Sequence, residues 1–181
     1  MKWNEQSWLQ LEHPDLKAHS KEWAFVVLLF LPPSKNDSLE SFLLVKEQFT
    51  LSAVALLDAH CPPTSIQRDG QFLTFLFTDP SDALTASLLF LSQHSHLVHI
   101  GIGYGLGYML DYFQSTDLLR VKAILPFGDV HEIQMSPSLQ QYTPIPSGVG
   151  TFQCSPALAQ ATGMHYWIVK DYRTPQMAPS C

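Results

Sequence analysis

The chain has 181 residues, with ten Lys and Arg against sixteen Asp and Glu, a formal net charge of −6. An acidic balance without any basic cluster argues against a nucleic-acid partner. The content of apolar residues, 46%, is enough for one domain with a substantial core.

Three cysteines without a C-x-x-C pair exclude a zinc knuckle and a disulfide framework, and they predict reduced thiols in a cytoplasmic protein. The longest apolar run, residues 23–33, is about half the ~20 residues of a membrane helix, so no membrane partner is expected.

Residues 1–22 are predicted to form a leader helix that ends at His13-Pro14. Its apolar residues, among them Trp3 and Trp8, fall loosely on one helical face. Tryptophan is enriched at binding hot spots, so Trp3 and Trp8 are candidate interaction residues. The alternative is that they pack on their own domain, which is predicted over 23–172 and followed by a flexible tail, 173–181.

Hydrophobic periodicity and turn residues predict strands and helices in alternation through the first half of the chain. The predicted elements are strand 24–31, helix 39–60 capped by Ser38, strand 64–68, strand 72–77, helix 79–93 and strand 97–104, which 105–112 continues or pairs with.

The second half is predicted from weaker signals, and 117–124 fits a helix or a strand equally well. The remaining predicted elements are a short helix from Phe127-Gly128-Asp129 to about 142, strand 151–154, a helix from Ser155 to Gly163 and strand 166–172. The leading β-α-β-β-α-β order is that of a ferredoxin-like core, so the predicted fold class is an α/β (α+β) sandwich.

Five segments carry a resemblance to a known family: AFVVLLFLPP, SIQRDGQFLTFLF, VHIGIGYGLG, FGDVHEIQMSPSLQ and GVGTFQCSPAL. In order and spacing, over about residues 24–172, the chain resembles the class III adenylyl/guanylyl (nucleotidyl) cyclase catalytic domain. The resemblance implies two metal ions held by two aspartates, an Asn that orients the ribose and an Arg that stabilises phosphate charge. It also implies a Lys and an Asp that bind the base, and sites formed between two subunits arranged head to tail.

Most of these positions are replaced when the family pattern is carried over. The second metal aspartate matches Asp69, in the Asp69-Gly70-Gln71 turn, whereas the first falls near Leu31 or Pro32, where no acid stands. Asp37 lies past a double proline and is expected to begin the helix. The base-binding positions fall at Ser65 and near Leu125, the Asn at Glu132 and the Arg at Ser136.

The resemblance therefore implies a degenerate, catalytically inactive cyclase-homology domain without a cofactor. We expect a role in signalling or regulation through a protein partner or a homodimer, with weak or absent nucleotide binding. Two alternatives stay open: a sensor that binds a nucleotide or small ligand without turnover, and one half of a hetero-dimeric cyclase. Asp69 itself is also explained as a turn residue of an Asp-Gly hairpin.

Two further patterns allow a site but have simpler explanations. His96 and His99 are predicted to point to opposite faces, and only His94 and His96 share one, which disfavours a zinc site. Glycines alternate at positions 101, 103, 105 and 107, which leaves one strand face without side chains. Close packing of a helix on that face is the favoured interpretation, and room for a ligand or partner backbone is the other.

Overall fold

The computed structural model describes residues 20–31, 36, 38–94, 97–109 and 113–173. The predicted interaction residues Trp3 and Trp8, the acid Asp37 and the tail beyond Arg173 lie outside the described residues, as does His96.

Among the described residues, eight strands form one mixed sheet. They are β1 (Ser20–Phe30), β2 (Ser65–Asp69), β3 (Phe72–Phe77), β4 (Val98–Met109), β5 (Phe113–Gln114), β6 (Ile133–Met135), β7 (Val149–Gln153) and β8 (Trp167–Asp171). The strand order is β2-β3-β1-β4-β6-β8-β7, with β5 paired to β4. Of the pairings between these described strands, only β4–β6 is parallel.

In the part of the chain that the structure describes, five α-helices pack against the sheet. They are α1 (Leu39–His60), α2 (Pro80–His94), α3 (Thr116–Ile124), α4 (Pro137–Gln140) and α5 (Pro156–Thr162), and a 3-10 turn, Leu125–Phe127, follows α3. Ser38 caps α1 by accepting a hydrogen bond from the Ser41 N–H, as the sequence predicted. Ser155 caps α5 in the same way, and this helix ends at Gly163 in the left-handed conformation.

The order β1-α1-β2-β3-α2-β4 confirms the predicted fold class. β1 is longer than predicted, since it begins at Ser20, and β4 continues without a break to Met109. The ambiguous segment 117–124 is helical. It buries Leu118, Val121 and Ile124 at three-residue spacing, so tertiary packing on the sheet decides its conformation.

One predicted element is wrong. The short helix expected from Phe127-Gly128-Asp129 to about 142 is interrupted by β6, and only the four residues of α4 are α-helical. The apolar residues Ile133 and Met135 alternate around Gln134, and pairing with β4 and β8 turns this alternation into a central strand. The sequence signal for a three-residue strand was too short to recognise.

The two faces of the sheet are covered differently. On the first face, α1 and α2 pack on large side chains of β1, β3 and β4, including Val26, Phe75 and Ile102. On the second face, α3 and the 3-10 turn pack on Phe25 and Val27 together with Phe113. β1 is buried on both faces, which is why its sequence is a continuous apolar run.

The predicted role of the alternating glycines, close packing of a helix, is confirmed at two of them. A Cβ at Gly101 would lie 2.5 Å from Val121 of α3, and one at Gly105 would lie 1.9 Å from Asp117 of the same helix. At Gly103 the close neighbour is instead the Phe25 ring of β1, at 2.3 Å.

Candidate functional site

The candidate site lies where the β2–β3 hairpin meets the end of β1. Asp69 is paired with Phe72 across the hairpin, and Gly70 turns the chain with a positive φ of 57°. The Phe30 N–H donates to the Gln71 carbonyl at 3.1 Å, so the end of β1 lies beside the turn. The resemblance places the first metal aspartate near this end of β1, close to the turn that carries Asp69.

A lysine forms an ion pair with the carboxylate of this site. The Nζ atom of Lys122, on α3, lies 3.0 Å from Oδ2 of Asp69 and 5.1 Å from the centroid of the Phe72 ring. The Lys122 side chain is only 11% exposed, whereas that of Asp69 is 53% exposed. The cation is thus held between the helix and the sheet, and the carboxylate is the more exposed member of the pair.

A second lysine lies at the same turn, on the opposite helix layer. The Nζ atom of Lys46, on α1, donates to the Gly70 carbonyl at 2.7 Å and lies 5.4 Å from the centroid of the Phe30 ring. Two ammonium groups, from α1 and α3, therefore flank the hairpin turn. This is an arrangement that raises the electrostatic cost of adding metal cations.

The described residues do not fit a two-metal centre. Divalent magnesium and manganese ions usually require several oxygen ligands. No group of three or more His, Cys, Asp or Glu side chains that could hold a metal occurs in the described part of the chain. At the end of β1 the last described residue before the gap is Leu31, and the carboxylate of Asp69 already pairs with Lys122.

The two predicted base-binding positions have different surroundings. Ser65 is the first residue of β2 and is paired with Leu76 in the ladder. The Leu125 side chain is fully buried in the second-face core, and its carbonyl is hydrogen-bonded to Nδ1 of His99 at 2.8 Å. A buried leucine offers no polar group to a purine, so Leu125 cannot replace an acid that binds the base.

Glu132 and Ser136 do not form a pair. They flank the three-residue strand β6, one at each end, and no hydrogen bond between them is observed among the described residues. Glu132 Oε1 accepts from the Asp129 N–H at 3.1 Å and from the Gln134 side chain at 3.3 Å. Ser136 is the N-cap of α4 and accepts from the Ser138 N–H. Glu132 Oε2 also lies 3.9 Å from Nζ of Lys170, so both side chains have partners within the chain.

Three side chains that make contacts in this region were not predicted from the sequence: Lys46, Lys122 and Gln67. The Gln67 amide bonds to the backbone of β5 as a neighbouring strand would. Its Oε1 accepts from the Phe113 N–H at 2.9 Å, and its Nε2 donates to the Phe113 carbonyl at 3.3 Å. For Lys122 a signal exists, because it stands one turn after the buried Leu118 on the helix. Sequence spacing alone does not name its acidic partner, 53 residues away.

Two described histidines and one described cysteine make contacts with neighbouring elements of the fold. The His94 ring packs edge-on against Phe49, with centroids 5.0 Å apart, and His99 binds the Leu125 carbonyl. Burial, with smaller effects of Asp82 and Asp79, raises the pKa of Cys61 to about 11. The Cys61 thiol is therefore protonated at neutral pH and is a poor nucleophile.

No family model matches the sequence, and no curated protein matches it. No described helix has the length and apolar character needed to span a bilayer. The structural similarity is extensive despite this lack of sequence matches.

The adenylate/guanylate cyclase/hydrolase from Silicibacter pomeroyi has a TM-score of 0.67 at 11% identity, over 86% of this chain and 98% of that one. The guanylate cyclase domain of RhGC from Catenaria anguillulae, solved with GTP, has a TM-score of 0.66 at 12% identity, over 85% and 99%. The adenylyl cyclase CyaB from P. aeruginosa has a TM-score of 0.65 at 10% identity, over 87% and 97%. The chain thus has the fold of class III nucleotidyl cyclase catalytic domains.

Proposed function

We propose that residues 23–172 form a catalytically inactive cyclase-homology domain that acts in signalling or regulation through protein contacts. The observation that carries this proposal is the ion pair between Lys122 and Asp69, at 3.0 Å. In the cyclase pattern this aspartate binds a metal ion. Here an ammonium group supplied by the chain itself neutralises it.

The remaining positions support the same proposal. Glu132 brings a negative charge where the pattern has an Asn, and Ser136 has no charge where the pattern has a guanidinium. Transition-state stabilisation of a phosphoryl group depends on positive charge aimed at its oxygens, which neither residue supplies. Leu125, fully buried, removes the acidic contact to the base.

An activity assay tests the catalytic part of the proposal. The purified full chain, incubated with ATP or GTP and manganese, should make no cyclic nucleotide above a blank, and Asp69→Ala should give the same result. A product signal that disappears in Asp69→Ala would show that the site is an enzyme. Activity that appears only after mixing with another cyclase-like chain would favour the hetero-dimeric alternative.

A metal titration tests the role assigned to Lys122. Wild-type protein should show no saturable manganese binding tighter than roughly millimolar, and ATP with magnesium should show none either. Lys122→Met removes the competing cation and should strengthen manganese binding at Asp69, whereas Arg120→Met on the same helix should not. Micromolar ATP binding by the wild type would instead favour the ligand-sensor alternative.

The edge strand β7, which pairs with β8, offers a surface for protein contacts. The Cys154–Tyr166 and Gly148–Tyr172 main-chain bonds mark the hydrogen-bonded pairs with β8. Hydrogen-bonded and non-hydrogen-bonded pairs alternate along an antiparallel ladder. The main-chain N–H and C=O of Thr151 therefore point away from β8, to the open side of β7. Phe152 and Tyr172, 47% and 64% exposed, pack edge to face beside this edge with centroids 6.4 Å apart. An extended segment of another protein could add a strand here.

Thr151→Pro tests this surface. Proline blocks the outward N–H of Thr151 and leaves the β7–β8 ladder bonded, and Thr151→Val is the matched control. Proteins captured by the wild type and by Thr151→Val should be lost with Thr151→Pro. Equal capture by all three forms would exclude β7 as the contact, and a change of mass in light scattering would show that a second copy pairs there.

A further inference from the structure

The edge strand β7 lacks the features that usually prevent a sheet from adding a further strand. It pairs with β8 on one side, and no described strand pairs with its other side. Soluble proteins usually protect such an edge with charged side chains, a proline or a bulge. The sequence of β7, VGTFQ, has no charge and no proline, and its register with β8 runs without a bulge. This edge is therefore suited to pairing with another strand.

The strand at the opposite edge, β2, differs from β7 in each of these respects that involves a side chain. Two of its five residues, Arg68 and Asp69, are charged, and each forms an ion pair with a helix, at 3.1 Å and 3.0 Å. A third residue, Gln67, binds the Phe113 backbone through its side-chain amide. Of the two edges of the described sheet, β7 is thus the one without charged side chains that a new strand would have to desolvate.

The distribution of charge along the sequence favours a second copy of the chain as the partner of β7. Residues 133–169 contain no Lys, Arg, Asp or Glu, although the chain has ten basic and sixteen acidic residues and a net charge of −6. Like charges that face each other across an interface weaken association. Two copies that meet through β7 bring together the charge-free part of each chain, and the excess of acidic residues lies elsewhere in the sequence.

We propose that β7 pairs antiparallel with β7 of a second copy of this chain, around a two-fold axis at Thr151. The outward N–H and C=O of Thr151 then bond to the same groups of the second copy. In this register Gly150 lies opposite Phe152 of the second copy, and the reverse pair forms by symmetry. An aromatic ring beside an edge glycine is a favourable cross-strand pair. Within one chain Gly150 is already covered in this way, since a Cβ there would lie 2.9 Å from the Tyr172 ring and 3.0 Å from that of Phe152.

Pairing through β7 places the Asp69 turns of the two copies far apart. β2, which carries Asp69, and β7 are the two ends of the strand order β2-β3-β1-β4-β6-β8-β7. Neighbouring strands are about 4.8 Å apart, so about 60 Å of combined sheet separates the two β2 strands. The Asp69 turns therefore cannot contribute to one shared site in this dimer. Because it names the occupant of the β7 edge, the dimer rests on the proposed function.

Disulfide formation in the full chain tests the register. Thr151→Cys, in a chain that also carries Cys181→Ser, should form a covalent dimer with oxidised glutathione, because hydrogen-bonded residues that face each other have Cα atoms about 5.5 Å apart. Gln153→Cys in the same background is the matched control. It faces Val149 of the second copy, so two such cysteines lie more than about 13 Å apart and should not cross-link. A covalent dimer from neither variant, or from both equally, would overturn the proposal.

Sedimentation measures the same dimer without a covalent bond. A contact through five-residue strands is smaller than a standard interface, so the wild type should dissociate at roughly micromolar concentrations. Phe152→Ala should raise the dissociation constant about tenfold, since symmetry removes the ring twice. Phe127→Ala, whose side chain is 51% exposed against 47% for Phe152, is the matched control and should leave it unchanged.

A wild type that stays monomeric up to roughly millimolar concentration would overturn the dimer. Capture of another protein that is lost with Thr151→Pro would, in that case, still support β7 as the contact surface. Failure of the dimer is thereby distinguished from failure of the proposed function.

Discussion

The two faces of the central sheet are formed by the same strands but are packed in opposite ways. On the first face, the side chains of β4, such as Ile100 and Ile102, are large and meet the helices α1 and α2. On the second face the same strand presents glycines, and the chain's own α3 and Phe25 fill the space. The space beside these glycines is therefore filled by side chains of the same chain.

This difference bears on the candidate site, because Asp69 belongs to the second face. It pairs with Phe72, which pairs in turn with Leu29 of β1 on the face covered by α3. Its neighbour Arg68 points to the first face and pairs with Glu47 of α1. One hairpin thus has one ion pair on each face, and only that of Asp69 involves a largely buried cation.

Removing bulk from the first face should have the largest effect. Ile102→Ala deletes methyl groups from a fully buried position and leaves a cavity against rigid neighbours. We expect a loss of about 3 kcal/mol in the free energy of unfolding, measured by urea denaturation. A loss below about 1 kcal/mol would mean that this face is loosely packed.

Adding bulk to the second face should destabilise as well. A Cβ at Gly103 would lie 2.3 Å from the ring of Phe25, which is fully buried and has no room to move. Gly103→Ala should cost about 2 kcal/mol. Phe25→Leu in the same chain should recover part of this loss, whereas it should destabilise the wild type. If the two substitutions are simply additive in urea denaturation, the contact is not the cause.

The sequence predicts the first half of the fold well because its signals are long and agree with one another. The 22-residue helix α1 has a cap and a regular apolar spacing, and β1 and β3 are apolar runs between turn residues. Segment 127–142 fails because β6 has three residues and owes its conformation to β4 and β8, which a local pattern does not contain.

The candidate site is predicted only in part, for a related reason. Asp69 stands in a recognisable turn, but the significance of the site lies in partners that are distant in sequence, Lys46 and Lys122. Whether Glu132 and Ser136 occupy the Asn and Arg positions of the cyclase pattern stays a prediction. The two residues flank β6, a strand that the sequence did not predict, and α3, a helix between β4 and β6, was not distinguishable from a strand beforehand.

Gln67 offers a way to loosen the second face without touching its apolar core. Its side-chain amide makes both hydrogen bonds with the Phe113 backbone, and Gln67→Leu would leave that N–H and carbonyl without this partner. We expect a loss of about 1–2 kcal/mol. Gln67→Glu keeps the acceptor and should lose less. Faster amide exchange confined to β5 and the neighbouring end of β4 would locate the effect, and uniform exchange would contradict it.

The two ion pairs of the hairpin sharpen the comparison further. Lys122→Met removes the largely buried cation beside Asp69 and should cost about 1 kcal/mol. Arg68→Met breaks a pair whose side chains are 58% and 54% exposed, so its effect should be close to zero. Thermal melts at low and at high salt separate the two. A larger effect at Arg68 than at Lys122 would reverse the ranking of the faces.

The smallest expected effect depends on pH and concerns Asp117, which packs over Gly105 on the second face. Burial raises the pKa of its carboxyl above the ordinary value, and nearby Arg120 only partly offsets this. The pKa of this carboxyl is higher in the folded than in the unfolded chain. The free energy of unfolding therefore decreases as the pH rises from the unfolded-state pKa through the folded-state pKa. Asp117→Asn abolishes the ionisation. The variant should therefore melt on the order of a degree higher than the wild type near pH 7, and the difference should vanish near pH 3, where the wild-type carboxyl is also neutral. A wild type that is the more stable form at pH 7 would mean that Arg120 and the start of α3 stabilise the charge more than burial opposes it.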